Sequence, residues 1–260
     1  MQFIFLMQAR LSSTRRPGKM LVPVLGDKTL FESVYSRVVK AKEVTGDNFY
    51  VLTSTSPKDD PLVELMKEKG VAYARGDEQN VYKRFYNFLE VHNPKPDYII
   101  RICGDNPFLE PEFIDQITDY LKNTKDPLPD YVVHQDSSGR TSMGTQYGFF
   151  VEAIKYDAYM RANDLGLTDI EKEHVTPQFY KPDNRPLNFV PHFIPMATLI
   201  DLKPYRFTVD TENDLLVVKT IANELPENFS YKDVVGIAEK HPDIIKIMSE
   251  AVLGDKKAGR

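Results

Sequence analysis

The stretch of sequence richest in anion-binding groups is ARLSSTRRPGK, residues 9–19. It holds four cationic side chains and three hydroxyl side chains within eleven residues. Pro17 fixes its own φ angle, and Gly18 permits a backbone turn that other residues resist. Such a loop can offer backbone N–H groups and charge-assisted donors to a triphosphate. It matches neither the Walker A nor the dinucleotide-binding glycine pattern, and the alternative interpretation is a solvated basic loop.

Two acidic residues each follow a run of strand-forming residues. Asp105 comes just after YIIRI, and Asp210 comes directly after RFTV. Carboxylates at strand ends suit a hard divalent cation such as Mg²⁺. The alternative is local, because Asp105 could cap the helix that begins near Pro111, and Asp210 or Thr211 could cap the helix that follows them. Together with the basic loop, the two carboxylates favour a nucleotide–Mg²⁺ site.

The elements of the first half of the chain decide whether these groups can meet. Short apolar runs predict strands over residues 2–7, 49–53, 71–74 and 98–102. Apolar residues at helical spacing predict helices near residues 30–41, 62–70, 81–89 and 113–121. This alternation predicts an α/β fold with a mostly parallel sheet. Ligands of such sheets bind beyond the carboxyl ends of the strands, so the basic loop and Asp105 should lie at one edge.

The second half of the sequence is less regular. Residues 125–150 are rich in Pro, Gly, Ser and Asp, and we predict a mobile arm or lid there, with a strand over 130–134. Helices are predicted over 151–161, 169–180, 211–223, 231–240 and 243–252, and strands over 187–194 and 206–209. The polar tail, 255–260, should fray. We expect one domain spanning residues 1–260, with an inserted arm or hairpin.

The composition of the 260-residue chain limits the classes of protein to which it can belong. Lys and Arg number 33 and Asp and Glu number 38, and the formal net charge of −5 argues against a general nucleic-acid binder. Cys103 is the single cysteine, which excludes an intramolecular disulfide and favours a reducing compartment. No apolar run approaches the ~18 residues that span a bilayer, and no secretory leader is evident. We therefore expect a cytoplasmic protein with neither a membrane nor a nucleic-acid partner.

Five motifs in sequence order resemble a known family: ARLSSTRRPGKML, GDEQNVYKRF, IIRICGDNPFLEP, EHVTPQFY and RFTVDTENDL. The first is similar to the N-terminal signature of the sugar cytidylyltransferases, which include the CMP-Kdo and CMP-sialic acid synthetases. The set resembles the SpsF-like branch of spore-coat polysaccharide biosynthesis. This resemblance implies a Rossmann-like nucleotidyltransferase fold. It also implies Mg²⁺-dependent transfer of CMP from CTP to a sugar or keto-deoxy sugar acid, with release of pyrophosphate, in surface polysaccharide or glycan biosynthesis.

The resemblance also implies roles for individual residues. The nucleotide-binding positions of the family correspond here to Ala9, Arg10, Ser13, Arg15, Lys19 and Asp105. The magnesium-binding carboxylates correspond to Asp105 and Asp210. We expect Arg15, Lys19, Asp105 and Asp210 to act in catalysis. Glu173 and His174 of EHVTPQFY could line the sugar site, or they could form a pair on a helix surface.

Two other functions stay open at this point. A nucleotide-sugar glycosyltransferase of related architecture would hold a diphosphate through a carboxylate–metal site, but it would lack the cationic loop. A non-catalytic nucleotide-binding module could regulate or scaffold a polysaccharide pathway, but it would not need Lys19, Asp105 and Asp210 together. Release of pyrophosphate from CTP in the presence of an acceptor distinguishes all three. A homodimer is also left open.

Overall fold

The computed structural model describes residues 1–13, 15–181 and 188–257, and for 256 and 257 the backbone alone. Its strands are β1 (Phe3–Gln8), β2 (Pro23–Leu25), β3 (Lys28–Thr29), β4 (Phe49–Ser54), β5 (Tyr73–Gly76), β6 (Tyr98–Cys103), β7 (Tyr131–Gln135), β8 (Glu152–Lys155) and β9 (Pro191–Pro195). Its α-helices are α1 (Leu30–Val38), α2 (Asp60–Glu68), α3 (Val81–Val91), α4 (Pro111–Asn123), α5 (Tyr156–Ala162), α6 (Asp169–His174), α7 (Pro177–Tyr180), α8 (Glu212–Ala222), α9 (Tyr231–Ala238) and α10 (Pro242–Lys257). Thr14 of the basic loop and Leu187 of the predicted strand 187–194 lie outside the described residues.

A central sheet organises the chain, with the strand order β5-β4-β1-β6-β8-β7-β9. Strand β1 is parallel to β4 and β6, and β4 is parallel to β5. Strand β8 runs antiparallel between β6 and β7, and β9 is parallel to β7. The predicted α/β fold with a mostly parallel sheet is confirmed.

Strand β1 lies in the interior of this sheet and is buried on both faces. Phe3, Phe5 and Met7 pack into the core on one side, while Ile4 and Leu6 pack into the core on the other. Helices cover both faces of such a sheet, which explains why β1 is a continuous apolar run instead of an alternating one. The carboxyl end of β1 leads directly into the basic loop.

The carboxyl ends of β1 and β6 approach each other unusually closely at Gly104. The Gly104 N–H donates to the Gln8 carbonyl oxygen at 3.0 Å. A Cβ atom built on Gly104 would lie 2.6 Å from that same oxygen, closer than real Cβ contacts allow. Only glycine fits at this close approach. The approach brings the next residue, Asp105, beside the start of the basic loop.

Four predictions in the second half are wrong in part. The predicted strand over 187–194 begins only at Pro191, as β9. The predicted helix over 151–161 begins only at Tyr156, because residues 152–155 pair as β8 between β6 and β7. The predicted helix over 169–180 is two helices, α6 and α7. They are separated at Val175, where φ is 73°, just ahead of Pro177, whose ring cannot continue a helix. The predicted strand over 206–209 forms a single bridge, from Arg206 to Gln146, and no ladder within the described residues.

The remaining predictions concern residues 125–150 and the tail. Residues 131–135 form β7 in the central sheet, which confirms the strand predicted there. The mobility of the arm around that strand stays a prediction. Helix α10 continues to Lys257, past the predicted end at 252, and residues 258–260 lie outside the described part of the chain. No helix in the described ranges combines the length and the apolar character that crossing a bilayer requires.

Candidate active site

The side chain of Lys19 lies at the centre of the site. It follows Gly18, whose φ of 74° turns the end of the basic loop inward, and it is only 8% exposed. Its Nζ donates to Asp210 Oδ1 at 2.9 Å, to Asp105 Oδ2 at 3.3 Å and to the Val209 carbonyl oxygen at 2.8 Å. Lys19, Asp105 and Asp210, which are distant in sequence, therefore meet at one ammonium group.

The charges of this group stabilise one another. Burial alone would lower the pKa of the Lys19 ammonium, but the Asp105 and Asp210 carboxylates raise it above its ordinary value. Burial alone would raise the pKa of Asp210, but the neighbouring cations, Lys19 foremost, lower it below its ordinary value. Both groups are therefore charged at neutral pH.

Asp210 also contacts two arginines, one exposed and one buried. Arg15 Nη2 lies 3.0 Å from Asp210 Oδ1, and the Arg15 side chain is 43% exposed. Arg206 Nη2 lies 3.5 Å from Asp210 Oδ2, and its side chain is buried. Two further carboxylates hold Arg206: Asp214, with contacts of 2.6 and 3.1 Å, and Asp255 of α10. We call Lys19, Arg15, Asp105 and Asp210 the Lys19 cluster.

Neither carboxylate of this cluster caps a helix. The N-cap of α4 is Glu110, whose side chain accepts from the Glu112 N–H. The N-cap of α8 is Thr211, which accepts from the Asp214 N–H at 3.2 Å, while Asp214 Oδ2 accepts from the Thr211 N–H at 2.8 Å. This reciprocal capping box leaves the Asp210 carboxylate to its cations. The capping alternative is therefore wrong for Asp105 and for Asp210, and it is confirmed for Thr211.

The base of the basic loop is fixed by a buried carboxylate. Asp59 Oδ1 accepts from the Leu11 N–H at 2.6 Å, and Asp59 Oδ2 accepts from the Ser54 N–H at 3.1 Å. The Gly18 N–H donates to the Leu11 carbonyl oxygen at 2.8 Å, which closes the loop on itself. Asp59 is fully buried, so the β4 end and the loop base form one rigid unit.

The other loop residues face different partners. The Ala9 N–H donates to the Leu52 carbonyl oxygen at 3.3 Å, and Arg10 Nη1 donates to the Glu78 carbonyl oxygen at 2.8 Å. Arg16 pairs with Glu212 at the start of α8. Ser13, another predicted nucleotide-binding position, accepts a hydrogen bond at Oγ from the Arg16 N–H at 3.4 Å. Lys19 thus reaches both Asp105 and Asp210, and Arg15 reaches Asp210.

A second buried ionic group includes a residue of β6 itself. Arg101 pairs with Glu152 of β8 and donates to Gln8 Oε1 through Nε at 3.1 Å and through Nη2 at 2.9 Å. Glu152 also accepts from the Tyr131 hydroxyl and from Thr176 Oγ1, the latter at 3.1 Å. We call these five residues the Arg101 cluster. It links strands β1, β6, β7 and β8 to the EHVTPQFY motif.

Sequence reasoning missed the Arg101 cluster and Arg206. A signal was present in both cases, because Arg101 interrupts the apolar run YIIRI and Arg206 opens the run RFTV. A cation inside a buried run needs a buried partner. Cys103, the last residue of β6, is held neutral because burial raises the pKa of its thiol to about 11.

The predicted sugar-site pair, Glu173 and His174, belongs to neither the Lys19 cluster nor the Arg101 cluster. Glu173 and His174 are both exposed, at the carboxyl end of α6. The His174 carbonyl oxygen accepts from the Thr176 N–H at 2.9 Å, across the strained Val175. The neighbouring Thr176 thus reaches the Arg101 cluster, while the Glu173 and His174 side chains face solvent. Their role toward a sugar stays a prediction.

The donor set of the Lys19 cluster fits a divalent cation that arrives with a nucleotide. Asp105 and Asp210 supply carboxylate oxygens to a single point that already holds a cation, the Lys19 ammonium. Within the described ranges no group of three or more His, Cys, Asp or Glu side chains could hold a metal ion. Mg²⁺ is commonly held by one or two carboxylates, substrate phosphates and water. The two carboxylates therefore suit Mg²⁺ only in company with phosphate oxygens.

Comparisons with known proteins identify the family and the fold that this chain resembles. Residues 4–221 match the family model described as cytidylyltransferase. The chain is 29% identical over 246 residues to the spore coat polysaccharide biosynthesis protein SpsF of Bacillus subtilis, covering 92% of this chain and 95% of that protein. It is 31% identical over 132 residues to the 3-deoxy-manno-octulosonate cytidylyltransferase of Rickettsia canadensis, covering 49% and 51%. The solved structure of a cytidylyltransferase from Leptospira borgpetersenii is 26% identical, with a TM-score of 0.80 over 94% of this chain and 97% of that one.

Proposed function

The chain belongs to the cytidylyltransferase family, and on that premise we propose that it transfers CMP from CTP to a sugar acceptor with release of pyrophosphate. It is an enzyme of the nucleotidyltransferase class. The observation that carries the proposal is the convergence of Lys19, Asp105 and Asp210 at the sheet edge where the basic loop begins. Family membership favours this reaction over the glycosyltransferase and over the non-catalytic module.

In the proposed reaction an acceptor oxygen attacks the α-phosphorus of CTP, the bond to the β-phosphate breaks, and pyrophosphate leaves. Such chemistry depends on positioning and on charge stabilisation. Arg15 and Lys19 would bind the β- and γ-phosphates and neutralise the charge of the leaving pyrophosphate. Arg10 and Ser13 would contact the triphosphate, and the backbone near Ala9 would lie near the cytosine. The fixed loop base at Asp59 supports this role because it holds the donors in place.

Asp105 and Asp210 would hold the divalent cation, which we propose to be Mg²⁺. When bound, the cation would neutralise phosphate charge and lower the pKa of the acceptor hydroxyl. The chain itself contributes the orientation of the two carboxylates. Gly104 places Asp105 beside the end of β1, and Arg206 contacts Asp210 Oδ2 while Lys19 contacts Oδ1.

The acceptor is proposed to be a sugar or a keto-deoxy sugar acid used in surface polysaccharide or glycan biosynthesis. The similarity to SpsF and to a 3-deoxy-manno-octulosonate cytidylyltransferase supports this class. We also propose a cytoplasmic location, where nucleoside triphosphates are made. Glu173 and His174 stay the predicted sugar contacts, and the homodimer stays a prediction.

Pyrophosphate release tests the proposed function directly. The protein is incubated with Mg²⁺, one nucleoside triphosphate and a panel of sugars, sugar phosphates and keto-deoxy sugar acids. We expect pyrophosphate release with CTP and at least one acceptor, and far less with ATP or GTP. The same mixture without the protein gives the background. Release equal to that background with every acceptor, or a preference for a purine nucleotide, would contradict the assignment.

A further inference from the structure

The Lys19 ammonium is fully occupied by the protein itself. An ammonium group has three N–H donors, and Lys19 uses them on Asp105, Asp210 and the Val209 carbonyl oxygen, all within 3.3 Å. A lysine in this arrangement has no donor left for a phosphate oxygen. If Lys19 is to bind the triphosphate, it must first give up at least one carboxylate.

The Asp210 carboxylate is equally occupied. Its Oδ1 is shared by Lys19 at 2.9 Å and Arg15 at 3.0 Å, while its Oδ2 faces Arg206. A divalent cation that used Asp210 would therefore enter a position already surrounded by positive charge. Without a nucleotide, the two carboxylates are balanced by Lys19 and Arg15, which carry the same total charge as one divalent cation.

The three cations around Asp210 differ in their freedom to move. Arg206 is buried and is held by two contacts to Asp214 and one to Asp255, so it stays in place. Arg15 is 43% exposed, and the Asp210 contact is at the end of a long side chain. Lys19 carries its charge on a flexible four-carbon stem. Lys19 and Arg15 can therefore leave, whereas Arg206 remains the permanent partner of Asp210.

We propose that nucleotide and metal bind by a cation exchange within the Lys19 cluster. The triphosphate takes Lys19 and Arg15 from the carboxylates, and the freed Asp105 and Asp210 take the divalent cation. Each ligand then strengthens the binding of the other, because thermodynamic linkage is reciprocal. The inference rests on the proposed function, since it assumes that the nucleotide carries a triphosphate. In the absence of nucleotide, the cluster keeps the carboxylates neutralised and weakens the binding of the metal.

The test measures metal binding without any reaction. Mn²⁺ is titrated into the full chain by electron paramagnetic resonance, with and without CTP and with no acceptor present. For the unmodified protein we expect weak Mn²⁺ binding alone and binding at least about tenfold tighter with CTP, within the usual range of coupling between two ligands. For Lys19→Met we expect Mn²⁺ alone to bind about tenfold tighter and the effect of CTP to shrink.

Two further variants control the experiment. Lys28→Met removes an exposed lysine from β3, outside the cluster, and should behave like the unmodified protein. Arg15→Met removes the exposed partner of Asp210, and its folding should be unaffected. It should tighten Mn²⁺ binding in the same direction as Lys19→Met by a smaller factor, so the test survives if Lys19→Met does not fold.

The possible results separate this inference from the proposed function. If CTP does not strengthen Mn²⁺ binding to the unmodified protein, or if neither variant of the cluster binds Mn²⁺ more tightly, the exchange is refuted. The proposed function could still hold in that case, provided that pyrophosphate is released from CTP. If pyrophosphate is not released with any acceptor, the function fails, whatever the Mn²⁺ titrations show.

Discussion

The Lys19 cluster and the Arg101 cluster lie on the carboxyl-terminal side of the same sheet and use the same kinds of groups, yet they are held very differently. In the Arg101 cluster both charged residues sit on strands, and Glu152 is fully buried. In the Lys19 cluster the cations come from a loop, and Asp105 is 29% exposed. Rigid surroundings make one group a fixed part of the fold, while loop cations and partial exposure make the other able to change partners.

This difference predicts whether a substitution lowers the stability of the fold or the activity of the enzyme. Removing one partner of a buried pair leaves an uncompensated charge in the interior, which destabilises the fold strongly. Removing a group that meets the ligand weakens binding and turnover while the fold keeps its core. Substitutions in the Arg101 cluster should therefore lower stability foremost. Lys19 is also buried, but Asp210 keeps Arg15 and Arg206 as partners when Lys19 is lost, so substitutions in the Lys19 cluster should lower activity foremost.

The largest effect is expected from Glu152→Ala. It leaves Arg101 buried without its carboxylate, and the Tyr131 and Thr176 hydroxyls lose an acceptor. The free energy of unfolding should fall by about 3–5 kcal/mol, measured by urea denaturation. Glu173→Ala, on an exposed side chain, is the control and should stay within about 0.5 kcal/mol of the unmodified protein. Equal stabilities of the two variants would remove the distinction between the clusters.

The next effect is expected from Lys19→Ala, and it should appear in turnover. Loss of one donor aimed at the departing phosphates costs on the order of 10²–10³ in rate. Pyrophosphate release measures the rate, and urea denaturation shows whether the fold is intact. Lys28→Ala should match the unmodified protein in both assays. Turnover within a few-fold of that protein would mean that Lys19 serves only to hold the two carboxylates in the fold and has no role in the reaction.

CTP together with Mg²⁺ should raise the melting temperature. A ligand present at 100 times its Kd stabilises the native state by about 2.7 kcal/mol, or about 5–10 °C in a chain of this size. Thermal denaturation with CTP, ATP or GTP, each with and without Mg²⁺, gives the comparison. We expect the largest shift with CTP and Mg²⁺ together. Equal shifts for all three nucleotides would contradict the cytidylyl assignment.

Asparagine at the carboxylate positions should separate metal binding from folding. Asp105→Asn and Asp210→Asn keep the side-chain shape but lose the charge that a hard cation requires. Each should lower turnover about tenfold or more, and titration with Mg²⁺ should show a raised requirement for the metal. Asp105→Asn should unfold at nearly the original temperature, since its side chain is partly exposed. An unchanged Mg²⁺ dependence in both variants would contradict the metal site.

The smallest effect is expected from Thr211→Ala. Loss of the N-cap of α8 should cost about 0.5–2 kcal/mol in the free energy of unfolding. Turnover should stay close to that of the unmodified protein, because the Thr211 side chain serves the capping box with Asp214. Urea denaturation beside pyrophosphate release checks both. No loss of stability would mean that Asp210, and not Thr211, starts the helix.

The sequence allowed a sound prediction of the Lys19 cluster for a simple reason. Strands β1 and β6 are short apolar runs, and parallel strands present their carboxyl ends at one edge. Asp105 and the basic loop each follow such a run, so their meeting required no knowledge of distant contacts. The position of Asp210 was predicted by the same rule, although residues 206–209 form only one bridge. Hydrogen bonding of the Val209 N–H to the Asp105 carbonyl oxygen, at 2.9 Å, provides the contact that a strand was expected to give.

The Arg101 cluster could not be predicted, because its partners are set by long-range pairing. Residues 152–155 lie directly before a true helix, and their short apolar pattern fits a strand or a helix equally well. Only the insertion of β8 between β6 and β7 makes Glu152 the neighbour of Arg101. The break at Val175, which brings Thr176 to Glu152, likewise depends on the packing around a fully buried valine with a φ of 73°.

The close approach at Gly104 also limits how this protein could be engineered. In a library that randomises position 104 under selection for turnover, we expect glycine alone to survive, because even alanine would push β6 away from the Gln8 carbonyl oxygen. Efforts to alter metal preference would therefore begin at Asp105 itself or at the loop cations. Random mutagenesis of the whole chain should give the same result: active variants should keep glycine at position 104, while the residues that flank it in β1 and β6 vary.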